Sequence, residues 1–363
     1  MGLRDNAVVP DPAVRALFDP LPGRTYLDAA SYGLPPRPAV EAMERALRGW
    51  QQGTARWVDD WDRPVEAARA DFASIIGATA DEIALVPAAS LAVGLAADAL
   101  KPGDVVVVPE DDHVSDLFPL LVAERRGIVV RQVPFAELVD SIDERTTLVV
   151  ASLVQMQTGR VGDLDGICRQ ARAVGARVFI DATHAIPFVP VAPHIADIDY
   201  LVCHAYKHML GARGTGFLYV RPDRVDGLLP SYASWHGAPD KWTRFFGGPL
   251  TLADDASRFD LSLAWLPWTA TLESTRLIAG WCRDGTLAEP LELAARLARA
   301  LGEEPTGSSL VCVPIPDPEP VRAALEAAGI RAAVRGDAIR FSLHVWNDAD
   351  DVDRAIEAIK PLM

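Results

Sequence analysis

Two apolar segments that each lead into an ionisable residue constrain the fold of this chain most strongly. Residues 177–180 end in Asp181, and residues 200–203 lead into Lys207, 26 positions after that acid. A glycine-rich turn and a further apolar run, 216–220, follow the lysine. Short apolar runs bounded by turns are typical of strands buried inside a sheet. The pattern therefore predicts neighbouring buried strands with an acid and a lysine at their ends.

An acid and a lysine placed in this way suit pyridoxal phosphate chemistry. A lysine amine forms a Schiff base with the cofactor aldehyde, and a carboxylate beside the ring nitrogen keeps that nitrogen protonated. The protonated ring then withdraws the electrons left behind when a substrate C–H bond breaks. Lys207 and Asp181 are the candidates for these roles. Either residue alone is more often a surface lysine or a strand-end cap, so the hypothesis depends on their combination with the surrounding sequence.

The chain resembles the class V branch of the fold-type I aminotransferase superfamily, which includes cysteine desulfurases, kynureninases, C–S lyases, epimerases and aminotransferases. The resemblance runs from YLDAASYGLPP (26–36) to RFSLHVWNDADDVDRAI (340–356), with five segments in matching order. It implies an α/β fold of two domains. The large domain, 26–262, has a mostly parallel seven-stranded sheet between helices, and the small α/β domain is 263–363. The segment 1–25 is expected to pack on the small domain.

The resemblance also implies how the cofactor is held. Lys207 and Asp181 keep the roles given above, and His113 stacks on the cofactor ring and relays a proton near the substrate. Further cofactor contacts are implied for Ala89 and Ser90 at a helix start, for Gln155 and His184 near the phenolic oxygen, and for His204 near the phosphate. Free N–H groups at a helix start bind phosphate, although a serine there is most often a simple cap. His113 taken alone reads as a loop histidine.

Substrate contacts are implied at the two ends of the chain. Arg340, in the terminal Arg-x-Ser segment, is placed to clamp the α-carboxylate of an amino-acid substrate with two parallel hydrogen bonds. Ser31 and Tyr32 lie in the segment that enters the active site of this family. The alternatives are an edge-strand arginine and an ordinary strand and turn. No metal ligand set is predicted.

Several reactions share this machinery, and β-elimination of the C–S lyase type is the favoured one. Cys282 and Cys312 lie in regular apolar contexts, whereas a desulfurase needs a mobile nucleophilic cysteine. Tyr206 also replaces the histidine that desulfurases often carry before the lysine. A class V aminotransferase and an amino-acid epimerase remain as alternatives. A non-catalytic module that only binds pyridoxal phosphate is the hypothesis from a different class.

Composition limits the partners. The formal charge of −15 over 363 residues argues against nucleic acid and anionic membranes. Four widely spaced cysteines form neither a disulfide framework nor a zinc motif, and no apolar run is long enough to span a bilayer, so a cytoplasmic protein is expected. The resemblance implies a homodimer with the active site near the interface. In this family a glycine turn reaches the phosphate of the neighbouring subunit, and Gly247 and Gly248 match that turn loosely.

Overall fold

The computed structural model of the chain describes residues 12–243 and 245–363. Its strands are β1 Thr25–Tyr26, β2 Ile83–Leu85, β3 Val105–Pro109, β4 Val129–Val133, β5 Thr146–Ser152, β6 Arg177–Asp181, β7 Tyr200–His204, β8 Gly216–Val220, β9 Leu310–Pro314, β10 Ile330–Arg331, β11 Ala333–Arg335 and β12 Ala338–Ser342. Its α-helices are α1 Pro12–Arg15, α2 Arg37–Gln52, α3 Val65–Ile76, α4 Ala89–Asp98, α5 Val114–Ala123, α6 Leu164–Val174, α7 Trp265–Asp284, α8 Ala288–Ala300, α9 Pro318–Ala327 and α10 Ala349–Ile359.

A seven-stranded sheet in the order β2-β8-β7-β6-β5-β3-β4 forms the centre of the large domain. The pairs from β7 through β6, β5 and β3 to β4 are parallel, whereas β8 runs antiparallel to both β7 and β2. The strands are almost continuously apolar because helices cover both faces of such a sheet. The predicted α/β class and the mostly parallel seven-stranded sheet are confirmed.

Strand register brings the ionisable residues to one edge of this sheet. In β6, Asp181 pairs with Ser152 of β5 on one side and with Val202 of β7 on the other. His204 ends β7, three residues before Lys207. Parallel strands present their carboxyl ends at the same edge, and ligands of α/β proteins bind there. The apolar runs 177–180 and 200–203 are therefore neighbouring strands, and their carboxyl ends lie side by side.

Helix α7 occupies Trp265–Asp284, a stretch for which the sequence pattern predicted no helix. It packs against α2 and α3, and its Trp268 and Trp281 are buried in the core of the large domain. Phe72 of α3 stacks on Phe217 of β8 in the same core, with ring centroids 4.2 Å apart. The domain division at 262 stays a prediction. We propose a boundary near residue 285 because α7 shares its core with the large domain.

The small domain contains a three-stranded antiparallel sheet in the order β11-β12-β9, with α8, α9 and α10 around its core. The chain's beginning joins this domain, since β1 pairs in parallel with β10 and Thr25 Oγ1 donates to Asp351 of α10 at 2.8 Å. Arg15 forms an ion pair with Asp348. Residues 1–11 of the predicted N-terminal segment lie outside the described residues. Among the helices described, none has both the length and the apolar character needed to cross a membrane.

Candidate active site

Lys207 and Asp181 lie together at the carboxyl edge of the sheet, and both side chains are buried. Burial lowers the pKa of the Lys207 amine to about 8, with the nearby Asp181 charge opposing that shift and the Arg340 charge adding to it. Asp181 accepts a hydrogen bond from the backbone N–H of Thr183 at 2.7 Å, which fixes its carboxylate. A neutral amine is the form that attacks an aldehyde. The site therefore favours the reactive form of this lysine.

His184 is the hydrogen-bond partner of the lysine. Its Nε2 lies 2.9 Å from Lys207 Nζ. Burial, followed by the charges of Lys207 and Arg340, holds the His184 pKa well below its ordinary value, so the imidazole is neutral. Its Nδ1 is buried and has no hydrogen-bond partner in the part of the chain that the structure describes. A buried polar atom without a partner marks a place where a bound group completes the site.

His204 connects the end of β7 to the start of α4. Its Nε2 accepts from the backbone N–H of Ala89 at 3.2 Å, and its Nδ1 lies 3.4 Å from the carbonyl oxygen of Thr215. The proton therefore sits on Nδ1. Ser90 is exposed beside this helix start, and the N-cap residue Ala88 makes no side-chain cap, so His204 takes the N–H of Ala89 only. Backbone N–H groups and the helix dipole make such a terminus an anion site.

His113 precedes α5 and is half-buried. Its Nδ1 accepts from the backbone N–H of Ser115 at 3.1 Å, so the ring proton of the neutral form is on Nε2. Burial lowers its pKa, and the charge of Lys207 lowers it further. The imidazole thus interacts electrostatically with the lysine. Its stacking role stays a prediction.

Gln155 is hydrogen-bonded within the protein, and its contact with the cofactor stays a prediction. Its amide nitrogen donates to Asp111 at 2.7 Å, and its amide oxygen accepts from the N–H of Gln157 at 3.0 Å and from the N–H and hydroxyl of Thr158 at 2.7 and 2.8 Å. These bonds hold the loop after β5. To contact the phenolic oxygen of the cofactor, the Gln155 amide would have to give up or share one of these hydrogen bonds.

A buried acidic cluster was missed by the sequence reasoning. Ser152 Oγ lies 3.1 Å from an oxygen of Asp116 and makes a short hydrogen bond to Asp112, which also accepts the Ser152 N–H at 2.8 Å. Burial raises the pKa of Asp112 to about 6 and that of Asp116 well above its ordinary value, and the charge of Asp181 adds to both. The only sequence signal was the acidic turn that follows β3.

Arg340 lies in β12 and is only 2% exposed. Its Nη2 donates to Ser31 Oγ at 3.1 Å and lies 3.8 Å from a carboxylate oxygen of Asp28. Its Nε and Nη1 have no hydrogen-bond partner among the described residues. Nε and Nη1 lie on different edges of the guanidinium, so a bidentate grip on a carboxylate would pair one of them with Nη2. Tyr32, by contrast, is 46% exposed.

Gly33 joins the Ser31 segment to the lysine loop. Its N–H donates to the carbonyl oxygen of Tyr206 at 2.9 Å. A Cβ atom on Gly33 would lie 2.3 Å from the carbonyl oxygen of Lys207, which is impossible without moving the backbone. Only glycine therefore permits this close approach. The contact explains how a segment near residue 30 reaches the lysine.

Known families and structures agree with this arrangement. The family model described as "Aminotransferase class-V" matches residues 25–235. The chain belongs to this family. It is 34% identical to a probable cysteine desulfurase of Methanothermobacter thermautotrophicus over 56% of this chain and 55% of that protein. It is 27% identical to the isopenicillin N epimerase of Streptomyces clavuligerus over 96% of both chains. The fold matches an apo cysteine desulfurase of Thermococcus onnurineus NA1 with a TM-score of 0.83, 21% identity and 98% of each chain covered.

Pyridoxal 5′-phosphate is the cofactor of this family, and the residues present fit it. The buried Lys207 amine would supply the nucleophile, and the charge of Asp181 acts on it. The start of α4 would offer its backbone N–H groups beyond Ala89 to a phosphate. His184 Nδ1 and the Nε and Nη1 of Arg340 are buried polar atoms that have no partner among the described residues. The chain is therefore a pyridoxal-phosphate enzyme of class V.

Proposed function

We propose that this enzyme cleaves the C–S bond of a cysteine S-conjugate by β-elimination, releasing a thiol, pyruvate and ammonia. The observation that carries the proposal is the convergence of a buried Lys207 amine and a buried Arg340 with two unpaired donors, whose charge acts on that amine. This pair can hold an amino acid by its carboxylate with a base near its Cα. Such a site suits Cα deprotonation of an α-amino acid.

Each step uses a residue of this chain. When bound, pyridoxal phosphate accepts the electron pair left at Cα. Arg340 binds and orients the α-carboxylate, and Lys207 Nζ removes the Cα proton, with His184 Nε2 hydrogen-bonded to that nitrogen at 2.9 Å to orient it. The Asp181 carboxylate would stabilise a positive charge on the pyridine nitrogen. Burial of these groups excludes water, which strengthens each charge interaction.

The cysteines favour a lyase that uses no protein thiol. Partial burial raises the pKa of Cys312 to about 12, whereas Cys282 is exposed but fixed within the regular helix α7. Cys312 lies within β9, where it pairs with Arg340, so it cannot swing as a loop residue can. A thiol is nucleophilic only as the thiolate. These cysteines are thus unsuited to accept sulfur as a desulfurase thiol does.

Amino-acid epimerisation is the second candidate. It is favoured by the match to isopenicillin N epimerase, which covers 96% of both chains. In that reaction Cα is reprotonated on its other face instead of losing its β-substituent. His113, which is half-buried and feels the Lys207 charge, supplies a candidate second proton donor. Transamination requires that the proton removed from Cα be returned to the cofactor instead. It is the third possible outcome of the test below.

A second copy of the chain and a reducing cytoplasm complete the proposal. Phe246 is 93% exposed and Leu250 is 76% exposed, in the loop that carries Gly247 and Gly248. Large apolar side chains grouped on one surface mark a contact site. We therefore propose a homodimer in which this loop meets the partner. The four cysteines are unpaired, which supports a reducing compartment.

The test follows the visible absorption of the purified protein while cysteine S-conjugates are added, with pyruvate and ammonia measured in parallel. Equal amounts of pyruvate and ammonia support the lyase. Inversion of the substrate without pyruvate supports the epimerase, and conversion of the cofactor to its amine form supports an aminotransferase. Lys207→Ala should abolish the absorption band and all turnover, whereas Lys101→Ala, at an exposed lysine, should preserve both. A protein that binds cofactor and changes no amino acid would favour the non-catalytic module.

A further inference from the structure

Arg335 lies beside Arg340, the candidate carboxylate clamp. Its Nη2 lies 3.4 Å from Ser31 Oγ, the same oxygen that accepts from Arg340 at 3.1 Å. Within residues 12–243 and 245–363, no carboxylate forms an ion pair with Arg335, although the chain carries 50 acidic and 35 basic residues. An arginine that stays unpaired in so acidic a protein is available to an anion from outside.

Strand geometry places the two arginines on one face of the small sheet. Arg340 of β12 pairs directly with Ala333 of β11, and Arg335 lies two residues along β11. Side chains at i and i+2 of a strand share a face, and so do directly paired residues. Arg335 and Arg340 therefore project to the same side. Their shared contact with Ser31 agrees with this placement.

A cavity of about 420 Å³ opens next to these residues. Four arginines and two acidic residues line it among the described residues, including Asp28, Arg331 and Arg335. Asp28 is shared, since it lies 3.4 Å from Arg331 and 3.8 Å from Arg340. One carboxylate thus faces several guanidinium groups. The cavity keeps a positive surplus in a chain whose net charge is −15.

The positive charge extends to the catalytic side. Arg335 and Arg340 both lower the pKa of His113, and Arg335 lowers the pKa of Arg340. Charges act on one another in this way only when little water separates them. The cavity and the lysine site are therefore parts of one electrostatic unit, with Ser31 between them.

We propose that Arg335, with Arg331 beside it, forms a second anion-binding site, and that the substrate is an α-amino acid whose side chain ends in a carboxylate or another anionic group. The inference rests on the proposed function, in which Arg340 binds the α-carboxylate. Arg340 then holds one end of the substrate and Arg335 the other. A neutral S-conjugate would leave Arg335 without an anionic partner among the described residues, since Arg331 already pairs with Asp28.

The experiment compares S-(2-carboxyethyl)-L-cysteine with its neutral amide, S-(2-carbamoylethyl)-L-cysteine, on the holoenzyme. Binding is titrated by the change in cofactor absorption, and pyruvate release gives kcat/KM. We expect the acid to be preferred by roughly 10–100-fold, the range of a charge-assisted hydrogen-bond pair. In Arg335→Gln the ratio should fall toward one, and raised salt should reduce it in the wild type. Arg322→Gln, at a cavity arginine already paired with Glu319, should keep the ratio.

The two hypotheses fail in different ways. Equal binding of acid and amide by the wild-type protein would overturn the second anion site, whether or not pyruvate forms. A preference retained by Arg335→Gln would also overturn it. Tighter binding of the acid that is lost in Arg335→Gln, without pyruvate from either compound, would uphold the anion site and refute the lyase reaction.

Discussion

Lys207 Nζ lies 2.9 Å from Nε2 of His184, and both side chains are buried. The imidazole is neutral, because burial and the Lys207 charge keep its pKa well below the ordinary value. It can therefore accept a hydrogen bond from the ammonium or donate one to the free amine. The pair gives the lysine a partner that adds no charge of its own. A charged partner here would have changed the lysine pKa directly.

His184→Phe is expected to lower kcat by about tenfold, because the lysine loses a hydrogen bond of about 1–1.5 kcal/mol. His184→Gln keeps a donor and an acceptor of similar reach and should stay within roughly threefold of the wild type. Steady-state kinetics on the best S-conjugate measure both. Equal activity of His184→Phe and wild type would show that the contact does not help the lysine.

The loading of pyridoxal phosphate into cofactor-free protein should depend on pH through Lys207. Only the neutral amine reacts with the aldehyde, so the loading rate should rise with pH around a midpoint near 8, the lowered pKa of this lysine. Asp181 opposes that lowering, so Asp181→Asn should move the midpoint to lower pH. Growth of the visible absorption band measures the rate. A midpoint near the ordinary value of 10.5 would contradict the burial effect.

The same pKa shift also affects stability. Between pH 8 and 10.5 the unfolded chain holds more protons on Lys207 than the folded chain does. The free energy of unfolding of the cofactor-free protein should therefore gain a contribution that increases as pH rises through this window. Lys207→Met removes the titrating group and should remove that contribution. Urea unfolding at several pH values compares the two proteins.

Arg340→Lys is expected to raise KM by roughly 10–100-fold with a smaller effect on kcat. Lysine keeps the charge but cannot offer two parallel N–H donors to a carboxylate. The wild-type side chain is 2% exposed, so a shorter reach cannot be corrected by solvent. A matched control is Arg322→Lys, at an exposed ion-paired arginine. An unchanged KM would place the α-carboxylate elsewhere.

Phe72→Ala should lower the free energy of unfolding by about 3–5 kcal/mol, since it removes a ring from a closed core. Phe72 and Phe217 are both 0% exposed, and their planes are 6° from parallel. Phe118→Ala is the control, because that ring is 58% exposed on α5. Denaturant unfolding of both variants tests the difference. If Phe72→Ala and Phe118→Ala lowered the free energy of unfolding by similar amounts, burial of Phe72 against Phe217 would not contribute the stability expected here.

Asp260→Ala should lower the free energy of unfolding by about 3–5 kcal/mol, because it removes the buried carboxylate from the Arg69 guanidinium and leaves that guanidinium with the part-exposed Glu66. Asp260 and Arg69 are joined by contacts of 2.6 and 3.2 Å, and Asp260 also accepts the N–H of Leu85 at 2.7 Å. The pair attaches the long segment before α7 to α3. Asp226→Ala, at an exposed acid paired with Arg258, should change stability little. Equal stability of the two variants would contradict the burial argument.

Local sequence patterns determined the main parts of this enzyme. Continuous apolar runs predicted the buried strands, because a strand that is covered by helices on both faces carries apolar side chains on both. Asp181 was identifiable because it follows such a run directly, and Lys207 because it stands between two such runs. Arg340 came from a terminal motif. Helix α7 was missed because it is buried along much of its length, which leaves a weak periodic signal.

Only the tertiary structure decided which side chains meet and which are already occupied. Gln155 was predicted to contact the cofactor, and only the packing shows that its amide is bonded to Asp111 in the turn after β3 and to Thr158 in its own loop. Ser31 and Arg340 are 309 residues apart in the chain, so no local pattern could show that Arg335 converges on the same hydroxyl. Burial, which sets the Lys207 pKa, likewise depends on all the elements around it. The sequence determined which chemical groups are present, and the packing of the two domains determined their partners and their charge states.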